Sequence, residues 1–143
     1  MPTAAGDRGW RALLAGIGVE PAMIDRALAE PSAEALDLLD VIRGHSLRGS
    51  AAEAAAVAWA VERQLPALWG ALADALTRHY GVPAPAVAYL RHEAARAAEV
   101  AARTDALVER YLLPADPYRV YEARRAAREA VWAWTVLTEA GAA

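Results

Sequence analysis

Apolar residues recur at helical spacing along almost the whole chain, and this periodicity constrains the fold more than any other feature. In AAEAAAVAWAVERQLPALWGALADAL, residues 51–76, apolar side chains return every three or four positions, which is the period of one face of an α-helix. No stretch alternates apolar and polar residues with the period of two that is typical of a β-strand. The sequence therefore predicts an all-α fold, a single-domain bundle of about six helices over residues 1–143.

Helix start signals are present at three places. Ser32 precedes a helical pattern as an N-cap residue, and Asp116 does so again before the last pattern. Ser50 and Glu53 have the spacing of a capping box, in which each side chain accepts a hydrogen bond from the backbone N–H of the other residue. Three helices are therefore expected to begin directly after Ser32, Ser50 and Asp116.

Glycine and proline mark the expected ends. Gly16 and Gly18 are expected to end the first helix and Gly44 the third. Pro66 lies inside the longest apolar pattern, where it is expected to kink the helix without ending it. Residues 1–7 are expected to be disordered or extended. The predicted helices cover residues 8–16, 21–30, 32–43, 50–76, 85–112 and 117–139.

Charge and composition narrow the possible partners. The formal net charge is −3, with acidic and basic residues interspersed, so no basic patch points to nucleic acid. No cysteine is present, which leaves no disulfide, thiolate metal site or cysteine nucleophile. The first residues lack the apolar core of a signal peptide, and charges interrupt every long apolar run. The sequence predicts a cytoplasmic protein that binds neither membrane nor nucleic acid.

Three polar residues of AYLRHEAARAAEVAART, residues 88–104, share one predicted helix face. His92, Arg96 and Glu99 stand at i, i+4 and i+7, which places them one turn apart on the same side. A histidine in this setting is either a hydrogen-bonded core residue or an acid, base or ligand. Arg96 and Glu99 alone also fit a surface ion pair. The residues by themselves leave these interpretations open.

Glu62 is another polar residue in apolar surroundings, because Trp59 and Trp69 belong to the same pattern. If its carboxylate is buried, it must be paired, protonated or bound to something. The alternative is that Glu62 and Arg63 lie at the edge of a solvated face. His45 stands in RGHSLRGS, which is expected to be an exposed connection between helices.

An ordered set of motifs runs through residues 62–99. The chain has a Glu-x-Gln-x-Pro element, then Tyr-Gly, then the first histidine of a His-x-x-x-Asp-x-x-His element; the matching residues are Glu62, Gln64, Pro66, Tyr80, Gly81 and His92. In this order the segment resembles the heme-oxygenase-like superfamily, in its thiaminase-II-like, pyrroloquinoline-quinone-synthase-like and chlamydial death-domain-associated branch. The flanking segments are also similar to that family. The resemblance covers most of the chain and implies a shortened heme-oxygenase-like fold.

The chain departs from the family at its metal ligands. Arg96 and Glu99 stand where metal-binding members have aspartate and a second histidine, and the first ligand helices of the family would precede residue 10. An arginine among iron ligands would place a cation beside cations, which is repulsive at short range. The resemblance therefore implies neither a metal nor another cofactor here. It also implies that the stripe faces the bundle interior, where Arg96 would hold Glu62 or Glu99.

Two functions follow from this comparison. The first is a metal-independent small-molecule-binding protein or enzyme of specialised metabolism, with acid–base chemistry in an interior pocket. Its expected catalytic residues are Glu62 and His92, and its expected ligand-binding residues are Arg96, Glu99, Tyr89, Trp59 and Trp69. The alternative is a catalytically inactive scaffold subunit. It would form a homodimer, or pair with a helical relative, through the apolar face that the missing leading helices would otherwise cover.

Overall fold

The structure is a computed structural model that describes residues 4–140, with side chains described from residue 8 onward. The all-α prediction is confirmed, since this part of the chain contains helices and no strand. It holds seven helices: α1 (Ala4–Gly16), α2 (Pro21–Ala29), α3 (Ala33–Arg48), α4 (Ala51–Glu62), α5 (Leu65–Tyr80), α6 (Ala84–Tyr111) and α7 (Pro117–Ala140).

The first helix begins earlier than expected. Residues 4–7 are helical, not disordered or extended, because the alanines at positions 4 and 5 are the strongest helix formers; residues 1–3 lie outside the described part. The predicted stop is confirmed. Gly18 has φ +85°, and the N–H of Val19 donates to the carbonyl of Leu14 at 2.9 Å, the pattern by which a left-handed glycine closes a helix.

The predicted N-caps are confirmed at all three positions. The hydroxyl of Ser32 accepts a hydrogen bond from the N–H of Ala35. Both bonds of the capping box between Ser50 and Glu53 are formed. The carboxylate of Asp116 accepts from the N–H of Arg119 at 3.0 Å, as an N-cap does. Each such cap stabilises its helix by about 1 kcal/mol.

The long helix predicted from Ser50 onward is divided in two, which raises the helix number from about six to seven. Pro66 was expected to kink this helix, but α4 ends at Glu62 and α5 begins at Leu65. Proline has no N–H for the carbonyl four residues earlier, and its ring clashes with that carbonyl. For Pro66 that residue is Glu62, where α4 ends. Gln64 completes the end of α4, because its side-chain amide donates to the carbonyl of Ala60 at 2.8 Å.

The third helix runs past its predicted end. Gly44 was expected to stop it, yet α3 continues to Arg48 and Gly49 is the C-cap. A glycine inside a helix costs only about 1 kcal/mol, and packing of the inner face outweighs that cost. Leu38 is buried on this face, and His45, two turns later on the same side, has a largely buried side chain.

Packing divides the described chain into two compact units. Unit 1 comprises residues 4–31 and 66–96, and unit 2 comprises residues 32–65 and 97–140. Helix α6 contributes residues up to Arg96 to unit 1 and its remaining residues to unit 2. That the chain forms one domain over residues 1–143 stays a prediction.

The core of unit 1 is built from α1, α5 and the first part of α6. Leu13 and Leu90 are fully buried there, and burial of a leucine side chain contributes about 1.5–3 kcal/mol. The rest of this core is also apolar; its buried members are Ala73, Val82 and Val87. On the surface of the same unit, Arg11 of α1 donates to Asp25 of α2 at 2.8 Å.

In unit 2, α3, α4 and α7 pack against one another. The contact between α4 and α7 consists mainly of alanines, which allow two helix axes to approach closely. The buried alanines are Ala52, Ala55, Ala56 and Ala60 on α4 and Ala123, Ala126 and Ala130 on α7. Val57 and Val61 extend this core toward Val41 and Ile42 of α3.

Candidate functional site

The α6 face that was expected to be the site points outward. His92, Arg96 and Glu99 are all exposed, so the prediction that this stripe faces the interior is wrong. The reason is the rotation of α6 about its axis, because the opposite face carries the buried residues. Those residues are Val87, Leu90, Ala97 and Thr104.

Arg96 forms a short-range ion pair on this helix. Its guanidinium donates from Nε at 3.1 Å and from Nη2 at 2.8 Å to one carboxylate oxygen of Glu93. The Arg96 side chain is 60% exposed, and such a pair three residues apart contributes less than about 1 kcal/mol. The partner of Arg96 in this pair is Glu93, whereas Glu62 or Glu99 had been expected.

Glu62 is half-buried as the last residue of α4. It belongs to unit 2, whereas His92 belongs to unit 1. Of the other residues that carry the resemblance, Gln64 lies between α4 and α5, and Pro66 is the second residue of α5. A joint acid–base role of Glu62 and His92 therefore stays a prediction.

Two of the expected ligand-binding aromatics belong to the core of unit 1. Trp69 and Tyr89 both meet Trp10 edge-on, with ring centroids 5.6 and 5.7 Å from its ring. The Tyr89 ring also lies against Gly9, where a Cβ would overlap it. Burial raises the pKa of the Tyr89 hydroxyl, with a smaller contribution from Glu93. These contacts give Trp69 and Tyr89 a packing role.

Trp59 is held at the surface of unit 2. Its indole N–H donates to Asp105 at 2.9 Å, and Arg63 donates to the same carboxylate oxygen at 2.7 Å. The Arg63 guanidinium lies over the Trp59 ring, 5.3 Å from its centroid, a cation–π geometry. Trp59 also borders a shallow apolar groove of about 320 Å³ between α4 and α7, together with Trp132.

One titratable side chain of unit 2, His45, contacts carboxylates through both of its ring nitrogens. Its Nδ1 lies 3.1 Å from a carboxylate oxygen of Glu53, and its Nε2 lies 3.1 Å from one of Glu129. His45 and Glu53 are largely buried, with side chains 15% and 16% exposed, whereas Glu129 is 53% exposed. One imidazole thus joins α3, α4 and α7.

The two contacts of His45 place its ring between two carboxylates that can both accept a hydrogen bond. A neutral imidazole carries one N–H and can donate to only one of two carboxylates. With both carboxylates ionised, both contacts are hydrogen bonds only when the ring carries two protons. The ring of His45 can thus donate to one of the two carboxylates in its neutral form and to both in its protonated form.

Glu53 serves two neighbours through its two oxygens. Oε1 accepts the N–H of Ser50 at 3.0 Å in the capping box, and Oε2 faces His45. The hydrogen bond from the Ser50 backbone lowers the pKa of Glu53 most, and the contact with His45 lowers it further, against an opposing effect of burial. Glu53 is therefore a fixed negative charge in this unit.

The His45 cluster forms one wall of a groove of about 720 Å³ between α3, the start of α4 and α7, which we call the acidic groove. Five carboxylates line it, against one arginine and His45; the acidic residues are Glu34, Asp37, Asp40, Glu53 and Glu129. Arg48 is the arginine, and Trp132, which is 70% exposed, is the aromatic residue of the lining.

His45 was not among the expected site residues, because its segment was expected to be an exposed connection between helices. One signal could have found it, since Leu38, Val41 and His45 continue a spacing of three and four residues through Gly44. The contact with Glu129 could not be found in this way, because 84 residues separate the two.

The described residues contain no group of three or more His, Asp or Glu side chains arranged to hold a metal ion. None of their helices is both long and apolar enough to cross a membrane.

Comparison with protein-family models, with curated proteins and with solved structures returned no match.

Proposed function

We propose that the chain is a metal-independent small-molecule-binding protein whose site is the acidic groove, with His45 as the group that exchanges a proton with the ligand. The observation that carries this proposal is the placement of both His45 nitrogens 3.1 Å from carboxylates at the wall of a groove of about 720 Å³. A groove of this volume is in the range of small-molecule sites.

The two partners of His45 differ in how firmly they are held. Glu53 is fixed by the capping box and largely buried, whereas the Glu129 side chain is 53% exposed. A ligand hydroxyl or amine can therefore replace Glu129 at Nε2 while Glu53 keeps its bond to Nδ1. A carboxylate that orients an imidazole in this way is the usual arrangement of a general acid or base.

The charge of the groove selects the kind of ligand. Five carboxylates against Arg48 and His45 create a negative potential, which attracts a cation and disfavours a free anion. The exposed indole of Trp132 offers an aromatic face against which the apolar part of the same ligand can pack. The groove therefore suits a small organic amine whose apolar part lies against Trp132.

The proposed function is the one expected from the sequence, but its site is the acidic groove of unit 2 and not the polar face of α6. The chemistry expected of Glu62, His92 and Arg96 is assigned to His45, Glu53 and Glu129. An imidazole that exchanges a proton can bind a ligand and can also act as a general acid or base on it. The proposal therefore covers both a binding protein and an enzyme.

The direct test is an NMR titration, because the chain has only three histidines and five tryptophans. The probes are phenethylamine, its neutral alcohol analogue and the corresponding carboxylate, each raised to millimolar concentration. We expect the amine to shift the imidazole signals of His45 and the indole N–H of Trp132, and to do so more than the other two probes.

Two variants and one control complete this test. Trp132→Ala, at an exposed position, is expected to weaken the amine-induced shift at His45 without loss of fold, and His45→Asn to abolish the response at Trp132. His92→Asn is the matched control and should leave the titration unchanged. Shifts confined to His92 would support the site expected on α6, and no shift at His45 with any probe would refute the groove as the site.

A further inference from the structure

Helix α3 carries apolar side chains on both of its faces. Leu38 packs inside unit 2, but Leu36, Leu39 and Leu47 are 47%, 43% and 80% exposed on the outer side. Exposed leucines of this number on one helix are more typical of a protein–protein contact than of a solvated surface. The outer face of α3 is therefore a candidate for burial by a partner.

Four residues form a continuous seam along this face. Leu36, Asp40, Arg43 and Leu47 stand at i, i+4, i+7 and i+11, and all four are exposed. This is the alternating spacing of four and three residues by which helices pair in coiled coils. The seam is about 16 Å long at 1.5 Å per residue.

The order of these four residues is self-complementary. If a second copy of α3 lies antiparallel, with the two-fold axis between residues 41 and 42, Leu36 meets Leu47 of the second copy. In the same register Asp40 meets Arg43 of the second copy, and the symmetry forms each contact twice. In a parallel pair, Asp40 would instead face Asp40 and Arg43 would face Arg43, which repel each other.

The charges of α3 as a whole follow the same polarity. Its first half carries Glu34, Asp37 and Asp40, and its second half carries Arg43 and Arg48. An antiparallel copy places each acidic half beside a basic half. Charge complementarity and the leucine pairing therefore favour the same occupant and the same direction.

We propose that the outer face of α3 is a homodimer interface, in which two copies of this chain pair antiparallel through Leu36–Leu47 and Asp40–Arg43 contacts. The interface does not depend on the identity of the groove ligand. Asp40 and Gly44 also line the acidic groove, so the second copy lies at the rim of each groove.

The expected affinity is moderate. One pair of helices buries less than the roughly 800 Å² per partner of a standard interface, and Asp–Arg pairs at a seam specify the register more than they add affinity. A dissociation constant in the micromolar range is expected, and rising salt should weaken the dimer.

Sedimentation equilibrium measures this directly, because the chain has a mass of 15.2 kDa. We expect the wild type to approach twice that mass at high micromolar concentration. Arg43→Asp should raise the dissociation constant at least about tenfold, since it places carboxylate opposite carboxylate at two symmetric positions. The double variant D40R/R43D should restore dimerisation, because opposite charges face each other again.

Arg124→Asp, a charge reversal at another exposed arginine, on α7, is the control and should leave the dimer intact. Circular dichroism of each variant verifies that it is folded. A wild-type mass that stays at 15.2 kDa, a dimer that Arg43→Asp does not weaken, or a D40R/R43D variant that stays monomeric while folded would each overturn the proposal. The amine titration is repeated on Arg43→Asp, which is expected to be monomeric. Shifts at His45 in this variant would show that the groove binds the amine whether or not the chain dimerises.

Discussion

Nδ1 of His45 lies 3.1 Å from Oε2 of Glu53, although the two residues lie on different helices on either side of a tight turn. Gly49 and Ser50 form this turn, the first as the C-cap of α3 and the second as the N-cap of α4. The turn between α3 and α4 thus positions the imidazole independently of its contact with Glu129 of α7.

The contribution of this contact can be separated from that of the cap. Glu53→Gln keeps the capping box, since glutamine also serves at this position, but removes the charge that faces His45. We expect it to lower the free energy of unfolding by about 1–2 kcal/mol. Glu53→Ala removes both functions and should cost about 1 kcal/mol more. Urea unfolding at neutral pH measures both, and a Glu53→Gln protein as stable as wild type would show that the imidazole contact contributes nothing.

Glu53 also gives unit 2 a defined response to acid. Its pKa in the folded protein lies below the ordinary value of 4.5, so the folded state binds this proton less readily than the unfolded state. The stabilisation is complete above the ordinary value and is lost as pH falls through the lowered pKa.

As pH falls from neutral to below the pKa of Glu53, the free energy of unfolding should therefore decrease less in Glu53→Gln than in wild type. Unfolding measured at a series of pH values tests this. Glu99→Gln, at an exposed carboxylate of α6, provides the comparison and should follow the wild-type curve. Parallel curves for wild type and Glu53→Gln would contradict the assignment.

A glycine is required at position 49, because neighbouring atoms lie too close to leave room for a Cβ. A Cβ at this position would lie 2.5 Å from the carbonyl oxygen of His45 and 3.0 Å from Oε2 of Glu53. Gly49→Ala should therefore push the two helices apart at the turn and lower stability by about 1–3 kcal/mol. The His45 imidazole signals should move with it.

Gly70 is the matched position for this substitution, because it lies inside α5 and nothing lies within 4 Å of a Cβ there. Gly70→Ala should raise stability by roughly 0.5–1 kcal/mol through helix propensity alone. If thermal unfolding gave both alanine variants the same sign, steric contact at Gly49 would not be the cause.

Trp59 is expected to be structural. Asp105→Ala removes the acceptor of both the Trp59 indole and the Arg63 guanidinium. Since both partners are partly exposed, the loss of stability should be about 1 kcal/mol. Near-ultraviolet circular dichroism should report the released indole, while the amine titration at His45 should remain as in wild type. Loss of amine binding in Asp105→Ala would instead assign Trp59 a part in the ligand site.

The fold class was within reach of the sequence because helical periodicity and capping chemistry are local. Ser32, the Ser50–Glu53 box and Asp116 all cap as predicted, since each needs only residues three positions away. The C-terminal end of α3 could not be predicted in this way, because packing of its inner face keeps the chain helical beyond Gly44. Likewise, the clash of Pro66 with the carbonyl of Glu62 divides a helix whose apolar period is unbroken.

The candidate site was harder to predict than the fold. The spacing of His92, Arg96 and Glu99 shows that they share a face, but not which way that face turns, and neighbouring Val87 and Leu90 set the rotation of α6. The contact between His45 and Glu129 depends on the packing of α3 against α7. No pattern within either segment records that packing.

Trp132 borders both the acidic groove and the shallow apolar groove beside Trp59. One indole is thus a wall shared by two cavities. A molecule that presses the ring away from itself enlarges the groove that it occupies and narrows the other groove. Occupancy of one groove should for that reason alter affinity in the other, and linkage requires the effect to be equal in both directions. A single side chain thereby turns two separate depressions of the surface into one coupled pair.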